Sequence, residues 1–160
     1  MQNITLICIG KLKEQYLRDA VAEYVKRLSV LCKLNIVELP AEKLSDSPSQ
    51  KEIENALDSE GRKIIEKIPK GAFVYTMCIE GKQKTSEELS REIDELAVRG
   101  FGSVAFIIGG SFGLSEKVKA ASHYRLSMSK MTFPHQLARV MLLEQIYRAT
   151  QISAGTKYHK

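Results

Sequence analysis

The sequence predicts an α/β fold, a parallel sheet covered by helices on both faces. Three observations carry that prediction: short apolar runs alternate with amphipathic stretches of helical period, the runs stop at Gly or Pro, and the connections are short. Strands buried on both faces read as continuous apolar runs, and strand–helix–strand order with short links gives parallel pairing. At 160 residues the chain makes one domain, residues 1–160, with 44% hydrophobic and 27% charged residues. That is globular composition, and a domain of this size folds without a disulfide or metal.

Ile4–Ile9 is the first such run, closed by Gly10. Leu17, Ala20, Val21, Tyr24, Val25, Leu28 and Leu31 then recur at three- and four-residue steps, one face of a helix. Leu34–Leu39 is a second strand, ended by Pro40. In Ser47-Pro48-Ser49-Gln50 the first serine can cap a helix, with Pro48 in its first turn and Gln50 completing a capping box. Ile53, Ala56, Leu57, Ile64 and Ile68 form the apolar side of that helix, and Gly61 weakens it.

Ala72–Met77, continuing through Ile79, is the third strand. Thr85-x-x-Glu88 is a further capping box, opening a helix that turns Leu89, Ile93, Leu96 and Ala97 inward and stops at Gly100. Ser103–Ile108 is a fourth strand broken by Gly109-Gly110; a short helix over 115–121 and a fifth strand near 124–128 follow. The last helix spans 135–154, and its apolar residues, among them Val140, Leu142, Leu143, Ile146, Tyr147 and Ile152, point in nearly every direction. A helix apolar all round must be covered on all sides. The sheet covers one, and a second copy of the same helix covers the rest, which predicts a two-fold homodimer unless a long loop does that work.

No apolar run approaches the roughly 18 residues of a membrane span. The opening apolar stretch is too short for a secretory signal and has no basic residue before it, so the expected location is cytoplasmic. Cys8, Cys32 and Cys78 lie in or beside apolar runs at spacings unlike a zinc site; they read as buried thiols, and no metal is expected. The net charge of +5 is uneven: residues 130–160 carry five bases and one acid, residues 1–33 six and three, residues 34–69 five and eight. If the two ends meet, they form a basic face suited to a polyanion; a solvated surface with a lysine surplus also accounts for it.

Gly109-Gly-Ser-Phe-Gly113 follows a strand at the edge where open α/β sheets bind ligands, and adjacent glycines allow positive φ and close backbone approach. It lacks the dinucleotide spacing and a phosphate-loop lysine, which argues against an ordinary Rossmann nucleotide site. Met128–His135 reads as an ordered loop before the last helix; His135, at that helix's amino end, is expected neutral and fits a cap, a base or a substrate contact. Arg139 and Arg148 pair with an acid such as Glu144 or face a polyanion. The tail Gly155–Lys160 is either a loose terminus or a mixture of bases, ring and imidazole that stacks on a nucleobase and holds phosphate.

Together, Phe106–Leu114, Leu126–His135, Arg139 with Glu144-Gln-Ile-Tyr-Arg148, and Tyr158-His159-Lys160 resemble the RlmH family of SPOUT methyltransferases, over the whole chain and most specifically from residue 106 onward. The resemblance implies an α/β-knot, its C-terminal part threaded as a trefoil knot, and a homodimer packed through the C-terminal helix. It implies methylation, from S-adenosyl-L-methionine, at N3 of a pseudouridine in 23S rRNA. By position it implies cofactor contacts at Met77, Gly109, Met128, Ser129, Lys130, Met131, Thr132 and Phe133. Catalytic candidates are His159, Tyr158, His135 and Arg139, and RNA contacts Arg148, Lys157 and Lys160. The modest charge favours an assembled ribosome over naked RNA as substrate. Alternative readings are another SPOUT RNA methylation (ribose 2′-O, or on tRNA) and a non-catalytic ribosome-binding factor.

Overall fold

The computed structural model describes residues 2–160. Its five strands are β1 (Gln2–Ile9), β2 (Cys32–Leu39), β3 (Ala72–Lys82), β4 (Ser103–Ile108) and β5 (Tyr124–Leu126), all parallel in the order β2-β1-β4-β3-β5. The helices are α1 (Gln15–Leu28), α2 (Gln50–Lys67), α3 (Ser86–Val98), α4 (Glu116–Ala121) and α5 (His135–Ser153). The pleat sends alternate residues to opposite faces. Leu6, Tyr75 and Phe106 pack with Leu28, Leu96 and Ile146 of α1, α3 and α5, while Ile7, Val74 and Ile107 pack with Ile64 and Val118 of α2 and α4. Both faces are therefore covered, which is why these strands read as unbroken apolar runs.

Three details differ from the sequence reading. The cap of α2 is Ser49, not Ser47: its hydroxyl accepts the Glu52 N–H at 3.1 Å and the Glu52 carboxylate accepts the Ser49 N–H at 3.3 Å. A carboxylate beside the positive helix end is the better box partner than the Gln50 amide. Ala97 is exposed, although Leu89, Ile93 and Leu96 are buried as expected. β5 stops at Leu126, because the chain then turns, with the Ser127 hydroxyl donating to the Ser129 carbonyl at 3.0 Å.

Within the protomer α5 is covered by more than the one side that the sequence reading assigned to the sheet. Arg139, Leu142, Leu143, Ile146 and Ala149 are buried, α1 and α3 flank the helix, and Tyr147 packs at 6.2 Å from Tyr24 of α1. Leu137 is exposed and Val140 and Met141 are half-buried, so what remains uncovered is narrower than its all-round apolar pattern suggested. Cys8, Cys32 and Cys78 are free and buried, and burial pushes the Cys8 thiol up to about 12.

Gly61 is where α2 touches α4. A Cβ there would lie 2.7 Å from the Ser115 hydroxyl, which caps α4 by accepting the Val118 N–H, and 3.1 Å from the Val118 side chain. Gly61→Ala gains about 1 kcal/mol of helix propensity but makes the Ser115 hydroxyl leave its cap on α4 or the two helices part, at a cost of roughly 1–3 kcal/mol. A thermal melt should show the variant less stable than the parent; a raised Tm would contradict this packing.

Candidate functional site

All carboxyl ends of a parallel sheet face one rim, so the loops leaving them converge. Here the end of β3, the loop after β4 and the segment after β5 line one cleft of about 760 Å³, which the first turn of α5 and Lys119 of α4 also border. The glycine loop is a tight turn: the Gly113 N–H donates to the Gly110 carbonyl at 3.1 Å, and a Cβ at Gly109 would fall 2.3 Å from the Gly113 carbonyl oxygen. The positive φ expected of the double glycine lies instead at Gly113, at 84°. Gly109 is glycine for want of space.

The segment after β5 is held by its own serines. The Ser129 hydroxyl accepts the Met131 N–H at 3.0 Å, and the Ser127 N–H donates to the Lys82 carbonyl at 3.0 Å. Met77, Gly109, Met128, Ser129, Met131, Thr132 and Phe133 all line the cleft; Lys130 is exposed and does not. His135 lines it too, half-buried, and its pKa is pushed below the ordinary value by burial, with Arg139 and Lys13 adding to the effect. The ring is held neutral, as expected, by burial and by the neighbouring cations.

Arg139 does not face solvent. It is 2% exposed, with one guanidinium nitrogen on Glu38 at 2.5 Å and another on the Gly10 carbonyl at 2.9 Å. Arg148 has the Glu144 partner, through Nε at 2.9 Å and Nη2 at 2.5 Å.

The tail is docked on its own protomer. Tyr158 meets Tyr147 edge-on at 4.8 Å, and the Arg148 guanidinium lies 4.8 Å from the Tyr158 ring centre. His159 has Nε2 at 2.7 Å from Glu87 and Nδ1 at 3.2 Å from Arg148 Nη1. An arginine can only donate, so Nδ1 accepts, the ring proton sits on Nε2, and Nε2 donates to the carboxylate. Lys157 and Lys160 are exposed.

Neither Tyr158, His159 nor Arg148 lines the cleft. A smaller cavity of about 380 Å³, bordered by Thr85, Ser86, Glu144 and Gln145, adjoins the cleft and shares Met77, Leu126 and Met128 with it. The sequence reading missed Glu80 and Lys119, whose charged groups meet at 2.6 Å at the cleft wall. They stand 39 residues apart and no motif connects them.

A family described as "Predicted SPOUT methyltransferase" matches residues 2–159. The chain belongs to the SPOUT methyltransferase family. It is 56% identical to the ribosomal RNA large subunit methyltransferase H of Clostridium acetobutylicum over 158 residues, covering 99% of each chain. It is 50% identical, with the same coverage, to a protein named putative ribosomal RNA large subunit methyltransferase H in Methanococcus maripaludis. Two solved structures share the fold at 14% identity. A probable methylase family protein from Haemophilus influenzae has a TM-score of 0.53, covering 99% of this chain and 71% of that one. A probable methyltransferase from Bordetella pertussis has 0.54, covering 93% and 96%. No helix of this SPOUT protein is long and apolar enough to cross a membrane among the described residues.

The neutral His135 has a consequence for stability. Its folded pKa lies below the ordinary value near 6.5, so in the window beneath that value the unfolded chain binds a proton that the folded chain does not. Stability therefore falls as pH drops through that window. His135→Gln should lose less stability than the parent between about pH 7 and about pH 5 in denaturant melts; an equal loss would place the acid sensitivity elsewhere.

Proposed function

We propose that this chain methylates large-subunit ribosomal RNA, at N3 of a pseudouridine in 23S rRNA, with S-adenosyl-L-methionine held in the rim cleft. The observation that carries the reading is the cleft itself. Segments distant in sequence meet there and present Met77, Gly109 and five of the six residues 128–133 that the resemblance assigns to the cofactor.

The residues fit that ligand. A cleft of about 760 Å³ accommodates a nucleoside with an amino-acid tail. Backbone groups of the glycine loop and of residues 128–133 can hydrogen-bond a purine edge, while Met77, Met128 and Phe133 supply apolar surface. When bound, the donor supplies a sulfonium methyl already activated for attack. The protein's part is to orient the base in line, to exclude water, and to take the weakly acidic N3 proton or stabilise the anion left behind. His159 suits the proton's removal once the Arg148 bond is exchanged for the substrate: Glu87 fixes the Nε2 proton, so Nδ1 is the ring's one acceptor.

Two structural readings belong to the same proposal. The segment after β5 threads the loop after β4 as a trefoil knot: residues 128–134, Lys130 excepted, line one cleft with residues 109–114, and α5 then packs on the face opposite α4. The protein works as a homodimer through α5, whose exposed Leu137 and half-buried Val140 and Met141 form the contact. Lys157 and Lys160 are free to meet phosphate.

Labelled methyl transfer to intact ribosomes and to naked 23S RNA, followed by nucleoside mass spectrometry, tests the reading. N3-methylpseudouridine from ribosomes, with little from free RNA, is the expected result. A ribose-methylated product or labelled tRNA would point to another SPOUT activity, and a protein that fails to bind the donor would be a binding factor. His159→Ala should cut single-turnover rate by roughly 10²–10⁴-fold with donor affinity nearly unchanged. An unaltered rate would remove it from the chemistry.

A further inference from the structure

Glu80, just past the β3 residues that pair with β5 at Tyr75–Met77, and Lys119, on α4, meet at 2.6 Å on the wall of the rim cleft. The lysine side chain is only 17% exposed and the glutamate 54%. Hydrogen bonding to Lys119 holds the Glu80 carboxyl below its usual range, and the same bond raises the ammonium, so both are charged at neutral pH. Glu116, 82% exposed, stands 3.7 Å from Lys119, and Arg125 also acts on Glu80. A half-exposed pair adds little to stability. A fold staple is thus a poor account of why a lysine stem is packed into the wall of a ligand cleft.

The rest of the lining is apolar or backbone, apart from small hydroxyls, the Cys78 thiol and the neutral His135. The two charged residues and His135 lie on different sides. Glu80 continues β3, whereas His135 sits by Arg139 and Lys13, and Arg139 is bonded to the ends of β1 and β2. β3 and β1 flank β4, two strand spacings or about 10 Å apart. A ligand crossing that distance would have its ionic end at the pair and its uncharged end among backbone and methionines.

We propose that Glu80 and Lys119 form the subsite for the amino-acid end of the methyl donor, Lys119 taking its carboxylate and Glu80 its ammonium. This rests on the cleft being the donor site. An α-amino acid carries both charges on one carbon, and a carboxylate–ammonium pair in hydrogen-bonding contact is the complementary arrangement. On binding, the intramolecular ion pair is exchanged for two charge-assisted bonds to the ligand, so the wall stays neutral throughout.

Calorimetry on the full chain with two ligands tests it: S-adenosylhomocysteine, which has the amino-acid end, and methylthioadenosine, which lacks it. The parent should prefer the first by roughly tenfold or more, the yield of one or two charge-assisted bonds. In Lys119→Met and in Glu80→Gln the preference should shrink to a few-fold, with methylthioadenosine affinity held within about twofold of the parent's. That unchanged affinity also reports an intact cleft. Variants that keep the parent's preference would overturn the assignment and place the amino-acid end elsewhere, such as the uncapped start of α5. Equal loss of both ligands would make the pair structural. A parent that binds neither ligand refutes the donor reading itself, and the subsite with it.

Discussion

The Arg139 guanidinium, 2% exposed, joins three chain ends that are far apart in sequence. Its contacts run to the Gly10 carbonyl beyond β1 and to Glu38 near the end of β2, while the arginine itself belongs to the first turns of α5. Gly10, at φ 87°, in turn donates its N–H to the Leu39 carbonyl at 2.7 Å. Desolvating a cation is costly, and one buried nitrogen of Arg139 has no partner. Glu38 remains 40% exposed on its side chain, which tempers the cost of burying the pair. What the arrangement provides is position. It fixes the amino end of α5 at the sheet's carboxyl rim, and so fixes where residues 128–134 must run to reach it. The cleft wall depends on a residue that touches none of the space inside.

Elements whose signals are local could be read from the sequence. β4 occupies Ser103–Ile108 as expected, because six consecutive apolar or small residues end at a glycine that cannot continue the strand. The Thr85–Glu88 box was equally legible, both partners lying within one turn. The α2 cap reads at Ser47 from the sequence and lies two residues later at Ser49, where the Glu52 carboxylate closes the box. The sheet-edge rule already placed the Gly109 loop at a ligand rim and the apolar–polar pattern made 128–135 a loop, but Met77 and the cofactor role of 128–133 came only through family resemblance. Periodicity alone gives strand ends, not which loops share a wall.

What stayed hidden is tertiary. Gly61 looked like a weak point of a helix and is a contact surface for Ser115 and Val118, 54 and 57 residues on. Arg139 read as a candidate for a polyanion or a nearby acid, and its acid lies 101 residues back on β2. Glu80 and Lys119 carry no signature, since acids and lysines are scattered throughout. The all-round apolar pattern of α5 was real, but it could not say how much of the cover α1 and α3 would supply.

The same helix serves both groups of candidate residues, and its length sets them apart. His135 opens α5 at the cleft, and Arg148, which holds the tail, follows thirteen residues later. At 1.5 Å per residue that is about 20 Å along the axis. The tail turns back at Gly155, φ 70°, with the Thr156 N–H on the Gln151 carbonyl, so it settles at the level of Arg148 and goes no further. Within one protomer His159 is thus committed to Glu87 and Arg148, and it lines neither the rim cleft nor the smaller cavity beside it. If the axis of the proposed two-fold pairing runs across α5, the two copies lie antiparallel and the carboxyl end of one comes toward the amino end of the other. Under that proposal, the length of one helix is the reason a second copy would be needed to bring His159 to the donor.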